Sequence, residues 1–344
     1  MIIRETCYAR SGLIGNPSDI FNGKVISFLF DAFKAQVVLY ETPELHIVPT
    51  VRDITRFASL DDLVRYRRTY GYYGGIRIIE AILVRFKQYC DLHGIELPRR
   101  NFTIEYDSDV PFGLGLGGSS TIIKAVFAAL MRFYELNERD IPKPVQPNVI
   151  LEAEIAELGI SAGPQDRVVA VYGGLVYMDF TREAWAANDG RHGSYRNLDP
   201  RLLPPLYIAY KDELSKSSGE VHNIMRYRAA VEHDARVLEA MAAKAALVDE
   251  AVACLEAGRK SDIGGLMSRD FDLRRSVYAL SPQNVRMIEI AREHGSHANF
   301  SGSGGAAVGI CGGDSHYAEL EKAYARENYR IIKVRIAADP AGRS

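Results

Sequence analysis

The sequence predicts an α+β protein of two domains, and three observations carry that expectation. The chain has 344 residues, and at roughly 150 residues per domain that length divides into two. The first half mixes strand-like and helix-like runs, whereas the second is mostly helical and closes on two strand-like pieces separated by a helix. A polar stretch over residues 181–204, containing Gly, Asn and Pro and ending in LLPP, separates the halves. The expected domains are therefore 1–203 and 204–344. Helices crossing an antiparallel sheet are the layer arrangement that suits the second half.

Composition narrows the function classes. Apolar residues make up 47% of the chain and charged residues 25%, enough for a sizeable core. With 42 Lys plus Arg against 44 Asp plus Glu, the net charge of −2 gives no basic face for nucleic acid or an anionic membrane. The start, MIIRETCYARSGLIG, lacks the apolar stretch of a signal peptide. Nor does any run of about 18 apolar residues suggest a membrane span. Cys7, Cys90, Cys254 and Cys311 are scattered without CxxC spacing, as free thiols in a reducing cytosol would be. A soluble cytoplasmic protein, monomer or homodimer, is expected.

Taken in order, KVISFLF (24–30) and QVVLY (36–40) read as strands, the second leading through Thr42-Pro43 into LHIVPT. Over residues 74–90, Ile78, Ile79, Ile82, Leu83 and Phe86 fall on one helical stripe. NFTIEYDSDVP (101–111) alternates and stops at a proline, like a strand entering a loop. A glycine cluster follows at 113–118, then SSTIIKAVFAALMRFYEL, a helix with serines at its start. A Pro-rich connection (142–147), a helix over about 148–158, a turn, a short apolar helix or strand, and the strand LVYMDF complete this half. The second half predicts a strand LYIAY (206–210) and helical structure from 219 to about 258. Further helices near 261–275 and 282–295 lead to strands at AAVGIC (306–311) and YRIIKVRIA (329–337).

The most informative segment is PFGLGLGGSST after Pro111. Its small residues can turn backbone N–H groups toward an anion, and they lead into a helix N-terminus with positive dipole character. The hydroxyls of Ser119 and Ser120 are placed to cap the helix, touch a phosphate oxygen or ligate Mg²⁺. Gly113, Gly115 and Gly118 formally match G-x-G-x-x-G, but the second strand and its ribose-binding acid are missing, so a dinucleotide fold fails. No lysine follows Gly118 as a Walker loop requires, and the protein-kinase motifs HRD and DFG are absent. A phosphate loop of the form P-x-G-x-G-L-G-x-S-S before a helix remains.

That loop resembles the second motif of the GHMP kinases, the family of galactokinase and of the homoserine, mevalonate and phosphomevalonate kinases. In the family's order, ARSGLIGNPSDIFNGK (9–24) is similar to its N-terminal substrate motif and NFSGSGGAAVGIC (299–311) to its C-terminal glycine motif. YYGGIRIIEA, PNVILEAEIAELGISAGPQDRVVAVYGGLVYMDF, LLPPLY, DFDLRR and FSGSGG extend the likeness toward members that phosphorylate glucuronic acid at its anomeric hydroxyl. The resemblance implies an N-terminal α+β domain with the phosphate loop, a C-terminal ferredoxin-like α+β domain, and a site between them using ATP and Mg²⁺. A kinase for a neutral sugar (galactose, arabinose or a heptose phosphate) and a non-catalytic sugar or nucleotide sensor are the rival readings.

The resemblance also implies roles. Gly113, Gly115, Gly117, Gly118, Ser119 and Ser120 would hold the nucleotide. Asp166 would orient and deprotonate the acceptor hydroxyl, as phosphoryl transfer requires of a base. Glu154, with Ser120, would ligate the metal, a sparse oxygen set that suits Mg²⁺. Arg10 would pair with Asp166 and hold it ionised. Asp19 would contact a sugar hydroxyl, and the backbone of Gly302, Ser303, Gly304 and Gly305 would close the site. The spacing of Glu154 and Glu157 predicts that they share a helix face, with Glu152 pointing elsewhere. A uronate needs a cation for its carboxylate, and Arg77, Arg167, Arg274 and Arg275 are the candidates among which the sequence does not choose; Arg167 is counted with the substrate-binding residues. His294 and His297, spaced H-x-x-H, lack further ligands and are expected to face solvent.

Overall fold

The computed structural model describes residues 1–50, 53, 59, 75–211, 227–229 and 231–337. A long antiparallel hairpin organises the first sheet. Strand β1 (Ile2–Ile14) pairs with β2 (Lys24–Thr42) from Ile2↔Tyr40 to Ile14↔Ile26. The two strand-like runs at 24–30 and 36–40 are thus one strand of 19 residues. The register jumps from Tyr8↔Lys34 to Ala9↔Phe30, so residues 31–33 are taken up in a bulge rather than a turn. Beyond the bulge both strands alternate in burial. Before it, in β2's first half, successive residues are buried on both faces, as a strand covered on both sides must be.

Strand β3 (His46–Ile47) runs parallel to β4 (Asn101–Ser108), which pairs with the second half of β2. Strand β5 (Leu175–Asp179) pairs with its first half, and β6 (Ser194–Leu198) closes that edge. Helices α2 (Gly118–Phe133) and α4 (Gln165–Tyr172) pack on this sheet, and α1 (Gly75–Leu92) and α3 (Gln146–Glu152) pack against the helices. The stripe of Ile78, Ile79, Ile82 and Phe86 is buried as its spacing predicts, and it meets Phe127, Leu130 and Phe133 of α2. A short helix, α5 (Arg182–Ala186), precedes β6 and is capped by the Thr181 hydroxyl.

After the Pro204-Pro205 connection come β7 (Leu206–Tyr210), α6 (Ala235–Glu256), α7 (Ile263–Val277) and α8 (Pro282–Glu293). Then follow β8 (Ala298–Phe300), β9 (Ala306–Ile310), α9 (Asp314–Arg326) and β10 (Arg330–Lys333). The sheet order is β10-β7-β9-β8, every pair antiparallel. Fourth-first-third-second is the ferredoxin-like order, here with extra helices between its first two strands. Part of the helical stretch expected from 219 to 258, and residues 72–74 of the YYGG tract, lie outside the described residues.

The halves share a core. One hydrophobic cluster joins Leu13, Phe28 and Leu175 to Leu247, Met267 and Val308. The chain's end also returns to the first sheet. Ile336 bridges Phe30, and the Ala337 amide donates to the Leu29 carbonyl at 2.9 Å.

Candidate active site

The glycine loop turns where L residues would resist. Gly117, the residue before α2, has φ +77°, and no side chain caps the helix. The expected serine cap is therefore absent; Ser119 and Ser120 lie inside the first turn, leaving the amide end of a 16-residue helix open at the loop. Gly117 is also held close to Arg10, since a Cβ there would lie 2.7 Å from Arg10 Cγ.

Arg10, on β1, is the hub. Its guanidinium donates from Nη1 to the carbonyls of Gly115 (2.8 Å) and Ser301 (2.6 Å). From Nη2 it donates to Asp166 Oδ2 at 2.9 Å, with Nε 2.6 Å from Asp166 Oδ1. One planar fork thus holds the carboxylate at the start of α4 and both glycine loops. The loops themselves touch, because a Cβ on Gly302 would meet the Gly115 carbonyl at 2.3 Å and Arg10 Nη1 at 2.7 Å. Gly304 and Gly305 continue the wall, with the Gly305 amide donating to Asn284 Oδ1 at 3.1 Å.

On the opposite side Glu154 is buried. Ser119 Oγ donates to its Oε1 at 2.8 Å, while Arg167 pairs with Oε2. Ser119, rather than Ser120, is therefore the hydroxyl that reaches Glu154. Ser120 Oγ is buried without a hydrogen-bond partner. Arg167 Nη1 also donates to the Gly163 carbonyl at 2.8 Å, so its terminal nitrogens are engaged inside the protein.

Asp19 is buried and accepts from the Gln165 amide at 3.3 Å. Burial, reinforced by the neighbouring Asp166 charge, pushes its carboxyl up to about 6. Gly163 permits this approach: a Cβ there would sit 2.4 Å from Asp19 Oδ2. Asn16 ties the same corner together, accepting from Gln165 Nε2 (3.0 Å) and donating to the Gly302 carbonyl (3.0 Å).

Comparison with known proteins fits this arrangement. Residues 77–174 match the GHMP kinases N terminal domain and residues 251–331 the GHMP kinases C terminal domain. An Arabidopsis thaliana protein named probable glucuronokinase 2 is 40% identical over 341 residues, 97% of this chain and 92% of its own. The chain belongs to the GHMP kinase family. Glucuronokinase 1 of the same plant is 38% identical over 340 residues, with the same coverage. The fold is shared with Lactococcus lactis galactokinase complexed with galactose (TM-score 0.77, 15% identity, 98% of this chain and 94% of that one). Methanococcus jannaschii mevalonate kinase is similar as well (TM-score 0.68, 22% identity, 98% of each chain).

GHMP kinases use ATP, and this one brings the predicted residues of all three motifs to one place: Arg10 and Asp19, the glycine loop with Ser119, Glu154 and Asp166, and Gly302 to Gly304. A further sequence expectation is corrected. Glu154 and Glu157 do not share a face, because residues Ala153–Glu157 form a π-helical turn. Its wider winding brings Glu152 and Glu157, five apart, to the same partner. Arg85 lies 3.5 Å from Glu152 and 3.7 Å from Glu157, leaving Glu154 alone on the buried side. His294 and His297 are exposed, as expected. Asn16, Gln165 and Asn284 were not singled out by sequence, since an amide in a loop or helix start carries no spacing signal. Among the described residues no helix is long and apolar enough to cross a membrane.

Proposed function

We propose that this GHMP kinase transfers the γ-phosphoryl group of ATP to the anomeric hydroxyl of glucuronic acid, giving glucuronate 1-phosphate and ADP. The observation that carries the reading is the Arg10–Asp166 pair clamped between the two glycine loops. The substrate choice is supported by the likeness to proteins named glucuronokinase along nearly the whole chain.

Asp166 accepts the proton of the sugar hydroxyl as its oxygen bonds to the γ-phosphorus and the bond to the β,γ-bridging oxygen breaks. Arg10 orients Asp166 through both carboxylate oxygens. The open end of α2 offers backbone N–H groups to the phosphates. The donor set fits Mg²⁺: Ser119 and Glu154 present hard oxygens, and the Ser120 hydroxyl is buried and unpartnered. When bound, Mg²⁺ neutralises charge on the triphosphate. Asp19 accepts hydrogen bonds from a sugar hydroxyl.

The test is a panel of glucuronate, galacturonate, glucose, galactose and arabinose with ATP and Mg²⁺, following ADP release and locating the phosphate by phosphorus NMR. Glucuronate 1-phosphate as the favoured product is expected. A neutral sugar turned over best would transfer the reading to a neutral-sugar kinase, and no turnover on any of them would favour a sensor.

A further inference from the structure

Arg274 is a buried cation with two nitrogens that no acceptor meets. It lies on α7 with 1% of its surface exposed, and its Nη1 donates to the Gly302 carbonyl at 2.7 Å. Its Nε and Nη2 are buried with no hydrogen-bond partner. Phe300 and Tyr278 lie beside the guanidinium, their ring centres 5.1 and 5.2 Å from it. The Tyr278 hydroxyl is likewise buried and unpartnered.

The nearest acid does not complete the site. Asp270, one turn back on α7, gives Oδ1 to Lys244 Nζ at 2.7 Å and Oδ2 to Asn299 Nδ2 at 2.5 Å. Three buried donors, two on Arg274 and one on the ring beside it, thus lack an acceptor, an arrangement that proteins rarely retain without cause. A planar anion with two oxygens matches an arginine fork and a neighbouring phenol.

The donors belong to the wall of the active site. The Gly302 carbonyl takes Arg274 on one side and Asn16 on the other, and Asn16 is tied through Gln165 to Asp19. Gly302 itself lies against Arg10, which holds Asp166. Burial lowers the affinity of Arg274 for its proton, with Tyr278 and Asp270 opposing it and Arg10 adding to it; burial raises that of the Tyr278 hydroxyl, with Arg274 opposing it and Asp19 adding to it. The other arginines fit less well. Arg167 is engaged by Glu154 and Gly163, Arg275 is exposed and 3.7 Å from Glu289, and Arg77 is exposed on α1.

Resting on the glucuronate reading above, we infer that Arg274, through Nε and Nη2, and Tyr278, through its hydroxyl, receive the C6 carboxylate of the sugar acid and set the enzyme's preference for a uronate. A sugar with an amide or hydroxymethyl group at C6 leaves the cation unanswered and binds poorly.

The experiment compares glucuronate with glucuronamide, a near-isostere in which a neutral NH2 donor replaces one carboxylate oxygen, on wild type, Arg274→Met and Tyr278→Phe. Arg274→Met is expected to lower kcat/KM for glucuronate on the order of 10²-fold or more, mainly through KM, and that for glucuronamide far less. Tyr278→Phe, which removes one oxygen, should narrow the glucuronate preference about tenfold, and it decides the matter if Arg274→Met does not fold. Equal losses on both substrates, or an unchanged preference in the folded variants, would overturn the assignment to Arg274 and Tyr278. A wild-type enzyme that ignores glucuronate but phosphorylates a neutral sugar would instead overturn the substrate reading.

Discussion

Asp166 and Asp19 are two carboxylates in one pocket with opposite surroundings. Asp166 meets the Arg10 fork directly, whereas Asp19 accepts from backbone and feels the Asp166 charge more strongly than that of Arg10. Asp166→Asn preserves volume but removes the proposed base and Arg10's ionic partner, so kcat should fall roughly 10²-fold or more in steady-state assays while nucleotide binding persists. Asp19 predicts a pH effect. Its folded-state value of about 6 lies above the ordinary 3.8, so the folded protein holds the proton more tightly than the unfolded chain. Stability contributed by this group is therefore lost as pH rises from about 4 to 6, by at most about 3 kcal/mol. Urea unfolding should show Asp19→Asn gaining on wild type across that window and holding the gain at pH 8. A constant difference at all pH values would exclude the effect. At this scale the likeness to the family's motifs singled out Arg10, Asp19, Glu154 and Asp166, and the fold brings them together. Arg274 reads in sequence like any helix arginine; only its burial and its unpartnered nitrogens separate it from Arg275.

The elements were legible where one face is apolar and the other is not. Helix α1 and strand β4 fall within a few residues of their patterns, whereas β7, buried at every position, was legible as a short apolar run. β1 lacks that contrast in its second half, which is buried throughout and rich in small residues, and β6 is a polar edge strand. β8 has only three residues, too few for alternation to register. The π-helical turn after α3 was invisible for another reason: a period of 3.6 assumes the winding that the turn breaks. That turn makes a functional prediction. Glu154→Gln should raise the Mg²⁺ concentration required for activity, since a charged oxygen ligand becomes neutral. Glu152→Gln should match wild type, because its partner is Arg85 at 3.5 Å, outside the pocket. Indistinguishable Mg²⁺ titrations for the two variants would remove Glu154 from the metal.

Across the whole molecule the site depends on pieces distant in sequence being held at ångström precision. Arg10 bonds residues 105 and 291 positions away through one nitrogen, so separating the halves would dismantle the clamp. Length alone suggests two independent units, yet the chain buries one apolar cluster from both. Met267 of α7 is fully buried in that cluster with Phe28 of the first sheet and Val308 of the second. Independent domains would melt separately; a shared core makes them unfold together. Met267→Ala should therefore cost about 2–5 kcal/mol and lower a single calorimetric transition, not split it. Hydrogen exchange gives the sharper readout, because amides of β2 and β9 should lose protection by the same free energy. Loss confined to the second sheet would mean that the halves are separately stable, and the geometry around Arg10 would then have to be assembled by the bound substrates.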